Sequence, residues 1–268
     1  MQEPQLIPGS FSPRFAAFFS RYVRWRTRRC FHAVRISQPQ VLRAFEDDPT
    51  PLIVMMNHPG WWDPLTAVLV QQALLRGRPG MAPMDQTQLE KFRFFRHLGL
   101  FGIDPDESKN KTAMLNYVHR EWAKSPRTVL WITPQGRFAD VRAPLELRPG
   151  AAVIAARTPG VRVVSLSIEY SFWLDQRPEM FLRLARVAAP ERPSIPHWHR
   201  ALKVGMAENA AGLAELVIGR DPGAFESLLE SRAGINPAMN LLLKLRGKSP
   251  DIDSARLNQP PRAKGAMR

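Results

Sequence analysis

PLIVMMNHPGWWDPLTAVLVQQALLRG (51–77) opens with a short apolar run that stops at Asn57 and is followed by a Pro-Gly pair. A run of roughly 4–8 apolar residues bounded by turn residues reads as a buried strand, and Pro59-Gly60 is such a turn. From Asp63 onward the segment reads as a helix over 63–77, with Asp63 as N-cap and Pro64 at the first helical position. Between strand and helix stand His58 and Asp63. On a continuous helix, at roughly 100° per residue, their side chains would lie about 140° apart. They meet only if the backbone turns between them. Strand, turn and helix form the unit of an α/β sheet, and the carboxyl ends of such strands are where these sheets place ligands.

Outward from this unit the alternation continues. A short strand is expected near Met81 to Met84, a helix around Gln88 to His97, a strand at LFGID (100–104) and a helix from Thr112 to Ala123. RTVLWIT (127–133) reads as a buried strand leading into PQGRF, and Gly150 to Arg157 as a helix. VRVVSLSIEY (161–170) is the richest β-branched stretch, and the alternating MFLRLARV (180–187) is expected to be the last strand. The expectation is an α/β fold: a mixed β-sheet flanked by helices, with an N-terminal amphipathic helix and a helical C-terminal extension. The organisation expected is an amphipathic segment at 1–35, a catalytic domain at 36–190, and a helical extension with a basic tail at 191–268. Residues 247–268 read as disordered.

The 268 residues suffice for one large domain, and 44% hydrophobic with 23% charged residues is ordinary for a globular protein. The formal net charge of +14 favours an anionic partner. A single cysteine, Cys30, excludes an intrachain disulfide framework and suits a reducing compartment. The start, MQEPQLIPGS, lacks the features of a secretory signal, and no apolar run is long enough for a conventional membrane span. Neither GxSxG nor GxGxxG occurs. Gly247-Lys248-Ser249 resembles the end of a phosphate-binding loop, but Leu242 stands where its first glycine is required. His197-Trp198-His199 alone is a weak metal pattern, and no metal is expected.

Residues 11–31 mix aromatics with arginine. On a helical projection Phe11, Phe15, Phe18, Tyr22 and Trp25 share one arc, with Arg14, Arg21, Arg24 and Arg28 on the neighbouring one. Such a helix suits an anionic membrane interface, and the same pattern also fits a helix that packs its aromatics on the core. The first reading places the protein on the cytoplasmic side of the cell membrane as a peripheral or monotopic protein. Nucleic acid is suggested by charge alone. No recognised nucleic-acid module is present, so no nucleic-acid partner is expected.

If the turn brings Asp63 against His58, a carboxylate on one ring nitrogen fixes the tautomer and stabilises the imidazolium. The other nitrogen is then free to take a proton from a hydroxyl nucleophile. An unperturbed histidine, with a pKa of about 6.5, suits that work at neutral pH. Taken as isolated residues, the pair is better read as a mere helix cap at Asp63 and a loop residue at His58.

The pair is not isolated. NHPGWWD resembles the NHxxxxD motif of the glycerolphosphate and lysophospholipid acyltransferase family, with Asn57, His58 and Asp63 in register. TPQGRF (133–138) resembles that family's second signature, usually FPEGTRS, and GLFGID (99–104) falls where the family has its GxxFxxR-like block. VRVVSLSIEY follows a helix opened by Arg148-Pro149-Gly150, like the family's fourth block. Four blocks in order cover roughly residues 50–175. The resemblance implies transfer of a fatty acyl group from a thioester, acyl-CoA or acyl carrier protein, to a lipid hydroxyl. In that reading His58 is the general base and Asp63 orients it. Asn57, Gln135, Gly136 and Arg137 bind substrate, and no cofactor, metal or covalent acyl-enzyme is needed. Gly136, lacking a side chain, leaves room for backbone amides near an oxyanion or headgroup. Trp61 and Trp62 fit either an acyl path or core packing.

The departures bear on the acceptor. Gln135 stands where the family has Glu, Arg137 where it has Thr, Phe138 where it has Arg, and Pro105 where an arginine is common. Those family positions help to bind the acceptor's phosphate. Arg137 offers a displaced guanidinium, since a bidentate fork suits phosphate. The acceptor is therefore expected not to be a simple phosphomonoester. A catalytically silent, membrane-bound lipid-binding protein of the same fold is the alternative, and intact His58 and Asp63 weigh against it.

Overall fold

Leu52 to Met56 are buried on every side chain, which is why this strand reads as an unbroken apolar run instead of an alternating one. The computed structural model describes residues 6–104, 110–173, 175–231, 242 and 245–247. In chain order the elements are α1 (Pro13–Cys30), β1 (Ala33–Ser37), α2 (Gln40–Arg43), β2 (Leu52–Met56) and α3 (Asp63–Leu74). Then come β3 (Gly80–Asp85), α4 (Gln86–Lys91), β4 (Leu100–Ile103), α5 (Asn110–Lys124), β5 (Val129–Ile132) and α6 (Gly150–Ala156). The chain continues through β6 (Arg162–Ser171), β7 (Glu179–Val187), α7 (Ile195–Gly219) and β8 (Glu226–Glu230).

The eight strands form one mixed sheet in the order β4-β3-β5-β2-β6-β7-β1-β8. β4, β3, β5, β2 and β6 run parallel, so their carboxyl ends share one edge. β7 is antiparallel to β6, β1 runs parallel to β7, and β8 closes the far edge antiparallel to β1. β2 lies at the centre, with Val54 opposite both Trp131 and Val164. Helices cover both faces. Phe19 and Val23 of α1 and Leu65, Leu69, Val70 and Leu74 of α3 pack on one face, against Leu52, Val54, Val164 and Leu166. Tyr117, Val118 and Trp122 of α5, Ile154 of α6, and Trp198, Leu202 and Met206 of α7 pack on the other, against Ile53, Met55, Leu130 and Val163. The chain therefore has the α/β architecture of a mixed sheet flanked by helices.

Several expectations are corrected. The strand at 180–187 is not the last: β8 follows, and β1 also joins the sheet beyond β7. Of β8's five residues only Leu229 is buried, so this edge strand carries no apolar alternation to read. β1 spans residues 35 and 36, and α7 packs on β6 and β7. The helix expected around Gln88–His97 is interrupted: α4 stops at Lys91, and Arg93–Leu98 is a 3-10 segment. Gly99 ends it at φ 91°, where a Cβ would lie 2.1 Å from the carbonyl oxygen of Gly80. Pro105 and nearly all of the tail at 247–268 lie outside the described residues, as do Lys248 and Ser249.

The amino-terminal edge of the parallel strands is held by one side chain. Arg78 is 3% exposed. Its guanidinium donates to the carbonyls of Arg127 (2.7 Å), Phe45 (2.6 Å), Asp48 (2.8 Å) and Thr50 (3.2 Å). These residues lie just before β5 and β2, so the cation ties the strand entries together. Burial lowers its proton affinity, and the neighbouring Asp48 carboxylate opposes that effect. Hydrogen bonds to a charged group contribute about 1.5–3 kcal/mol each, and their loss leaves buried acceptors unmatched. Arg78→Leu is expected to lower stability by about 3 kcal/mol or more, read from the urea unfolding midpoint.

Candidate active site

Three central strands deliver side chains to the carboxyl edge. At the end of β2 the Asn57 amide donates to the carbonyl of Ile168 (2.9 Å), and its oxygen accepts from the Ile168 N–H (2.8 Å). The side chain thus takes the place of a strand partner and extends the β2–β6 pairing past Met56. His58 then leaves the sheet with its backbone fixed twice by the segment after β5. Its N–H donates to Gln135 Oε1 (2.8 Å), and its carbonyl accepts from the Ala139 N–H (3.0 Å).

The Pro59-Gly60 turn returns the chain so that Asp63 Oδ2 lies 2.6 Å from His58 Nδ1. The same oxygen accepts from the Gly60 N–H at 2.9 Å, and Oδ1 accepts from the Tyr170 hydroxyl at 2.5 Å. Asp63 is 0% exposed, so all three donors act where water does not compete. Asp63 is not the N-cap that the sequence predicted. Trp62 holds that position, with no side-chain cap bond, and Asp63 is the first helical residue. Its carboxylate bonds backward to Gly60 and His58 instead of forward to helix amides, yet stays beside the positive end of α3. The hydrogen-bond network assigns the proton to Nδ1, leaving Nε2 with its lone pair.

The segment after β5 lies over this pair. Gly136 adopts φ 65°, a conformation natural to glycine, and Arg148 Nε lies 2.7 Å from the point a Cβ would occupy. The Gly136 N–H closes its own turn on Thr133 O at 3.0 Å. Arg137 donates to Glu146 at 2.5 Å, with both side chains exposed. Phe138 is 61% exposed, and its ring centroid stands 4.4 Å from that of His58. Trp61 is exposed beside the turn, while Trp62 packs edge-on to Phe31 at 4.8 Å. His197 is elsewhere, at the start of α7 beside Ser194 Oγ. Among the described residues no cluster of histidine, cysteine and carboxylate groups could hold a metal ion.

His58, Asp63 and Gln135 are thus brought into direct contact, Asn57 and Gly136 shape the backbone around them, and Arg137 stands apart in its own ion pair. Sequence reasoning missed Tyr170 and the closeness of Phe138. The first was accessible: in β6, Val164, Leu166 and Ile168 share a buried face, and Tyr170 continues that period of two. The second depends on the fold of a loop and had no local pattern.

A hydrogen-bonded histidine and buried carboxylate, open on the second nitrogen, can accept a proton from a hydroxyl. Residues 33–169 match the sequence model of the family described as Acyltransferase. The match spans just over half of the chain, which belongs to this family, the glycerolphosphate and lysophospholipid acyltransferases. It is an acyltransferase enzyme, and the family supports acyl transfer to a lipid acceptor in general. No curated protein matches the chain.

Asp63→Ala would leave the Gly60 N–H, the Tyr170 hydroxyl and the His58 Nδ1–H without an acceptor. At about 1–3 kcal/mol for each unmatched buried group, the loss should reach about 3 kcal/mol or more. Asp63→Asn keeps an acceptor oxygen and should lose less. Thermal unfolding of both variants checks the order.

Proposed function

We propose that the protein transfers a fatty acyl group from a thioester, acyl-CoA or acyl carrier protein, to a hydroxyl of a lipid, with His58 as general base oriented by Asp63. The observation that carries this reading is the 2.6 Å contact between His58 Nδ1 and the buried Asp63 carboxylate, at the carboxyl edge of the sheet. His58 Nε2 takes the hydroxyl proton as the oxygen attacks the thioester carbonyl. The tetrahedral intermediate collapses by breaking the C–S bond, and the imidazolium returns the proton to the departing thiolate. The Asp63 charge stabilises the imidazolium formed between these two transfers. A thioester is already activated, so positioning and one proton transfer are the main demands on the protein.

The surroundings of the imidazole support an acceptor other than a simple phosphomonoester. Gln135 is engaged with the His58 backbone, Arg137 is held by Glu146, and the Phe138 ring lies against His58. These place apolar surface, in preference to a phosphate clamp, beside the reacting hydroxyl. A phosphodiester lipid, a glycolipid or a terpenoid glycoside fits such a site better than a phosphomonoester. Incubation with a labelled acyl thioester, 1-acylglycerol 3-phosphate and a total lipid extract tests this. The label is expected on an acceptor other than the phosphomonoester. Preferred acylation of 1-acylglycerol 3-phosphate, lost in Arg137→Ala, would contradict it and make Arg137 the phosphate ligand.

The same reading places the enzyme on the cytoplasmic face of an anionic membrane. In α1 the buried residues are Phe19, Ser20, Val23 and Thr27, while Phe18, Tyr22 and Trp25, and Phe11 just before the helix, are exposed with Arg14, Arg21, Arg24 and Arg28. Of the predicted arc, Phe15 alone turns partly inward, stacking on Phe19. Phe92, at the end of α4, and Phe94, in the 3-10 segment, are exposed nearby, and Phe94 packs against Phe15 and Phe19. Among the described residues no helix is long and apolar enough to cross a membrane. A surface of rings and arginines fits the headgroup layer, each arginine contributing about 1 kcal/mol on anionic lipid. Phe18→Glu combined with Trp25→Glu is expected to abolish flotation with phosphatidylserine-containing vesicles, and salt should weaken wild-type binding. Undiminished flotation of the double variant would place the contact elsewhere.

A further inference from the structure

The Asp63 carboxylate is held from three directions, and two of its partners belong to the turn that it closes. The third comes from across the sheet. Tyr170 lies at the carboxyl end of β6, 107 residues from Asp63, and its hydroxyl reaches Oδ1 at 2.5 Å. Its ring packs against Phe31 at 5.8 Å, so ring position and hydroxyl position are set separately. Burial above all, and then the Asp63 charge, drives the phenol far above its ordinary range, so the hydroxyl stays protonated and always donates. Tyr170 falls just outside the matched span of 33–169.

We propose that Tyr170 is a positioning residue for the acyl-transfer centre: its hydroxyl fixes the rotation of the Asp63 carboxylate and tempers the charge that Asp63 presents to His58. A carboxylate turns readily about its Cβ–Cγ bond. With Oδ1 anchored on Tyr170, Oδ2 is left facing both Nδ1 of His58 and the Gly60 N–H. A donor on Oδ1 also stabilises the carboxylate's negative charge. Removing it concentrates that charge, so Asp63 holds the imidazolium more tightly.

The elements beside the dyad carry other charges. The segment after β5 brings Arg137, paired with Glu146, and Arg142, paired with Asp140, together with Arg148. β6 contributes Glu169 next to Tyr170, its carboxyl raised by burial and partly offset by Arg142. None of these is altered when the Tyr170 hydroxyl is removed.

The proposal rests on His58 being the base, and its test separates the two ideas. Tyr170→Phe keeps the ring against Phe31 and deletes only the oxygen. Histidine-selective NMR titration of the full chain, with the His58 resonance assigned by its loss in His58→Gln, reads the coupling without any substrate. The His58 titration is expected to move upward by about half a pH unit or more in Tyr170→Phe. In turnover with an acyl thioester and lipid extract, the acid limb of the pH–rate profile should move the same way. The kcat should fall about tenfold, with KM for the thioester changed by less than about twofold. A variant that melts earlier but keeps the wild-type NMR titration would overturn the proposal and leave Tyr170 a packing residue. Should the wild type form no ester from any thioester, the acyl-transfer reading fails while the titration still decides the role of Tyr170.

Discussion

A carboxylate shut away from water costs several kcal/mol unless donors meet it, and Asp63 is shut away completely. Its donors come from two directions: Gly60 and His58 in the turn before α3, and Tyr170 at the end of β6. Meeting that requirement fixes the turn, places the imidazole, and couples the ends of two adjacent parallel strands. Burial of the acid and order in the site are therefore one constraint. The uncompensated negative charge also creates the environment in which a positive imidazole is welcome for the moment it exists.

The second tie is the segment after β5. Gln135 and Ala139 hold the two sides of the His58 peptide backbone, while Phe138, between them in the chain, lies against its ring. One short loop thereby positions the base and supplies the surface next to it. Each of the sheet's two edges has its own polar tie. Arg78 gathers the strand entries through carbonyl oxygens, and the dyad occupies the strand exits. Substitutions at one edge should thus be separable from those at the other. Phe31, the residue after α1, touches both Trp62 and Tyr170 and so joins the end of that helix to the second edge.

Much of this was legible where a residue's environment is set by its neighbours in the chain. The buried strands β2, β5 and β6 announce themselves by composition, and the turn between His58 and Asp63 by Pro59-Gly60. Where distant partners decide, the sequence was silent or misleading. Asp63 has the position and chemistry of a cap, yet its lone pairs are claimed by Gly60, His58 and Tyr170. β8 is a strand because β1 offers it an edge, not because ESLLE has an apolar face. The helix expected through His97 fails at Phe92, and the 3-10 segment that follows ends at Gly99, whose close approach to Gly80 involves residues 19 apart. Phe138 could be recognised as a departure from the family pattern, while its contact with the imidazole awaited the loop.

The central claim is that His58, held by Asp63 and by the loop after β5, removes the proton from the acceptor hydroxyl. The most direct measurement is the rate of ester formation by His58→Ala beside the wild type, from the same labelled thioester and lipid extract, with circular dichroism confirming that the variant is folded. Loss of a general base predicts a rate lower by about 10²–10⁴-fold. A folded variant that forms ester at close to the wild-type rate would contradict the account.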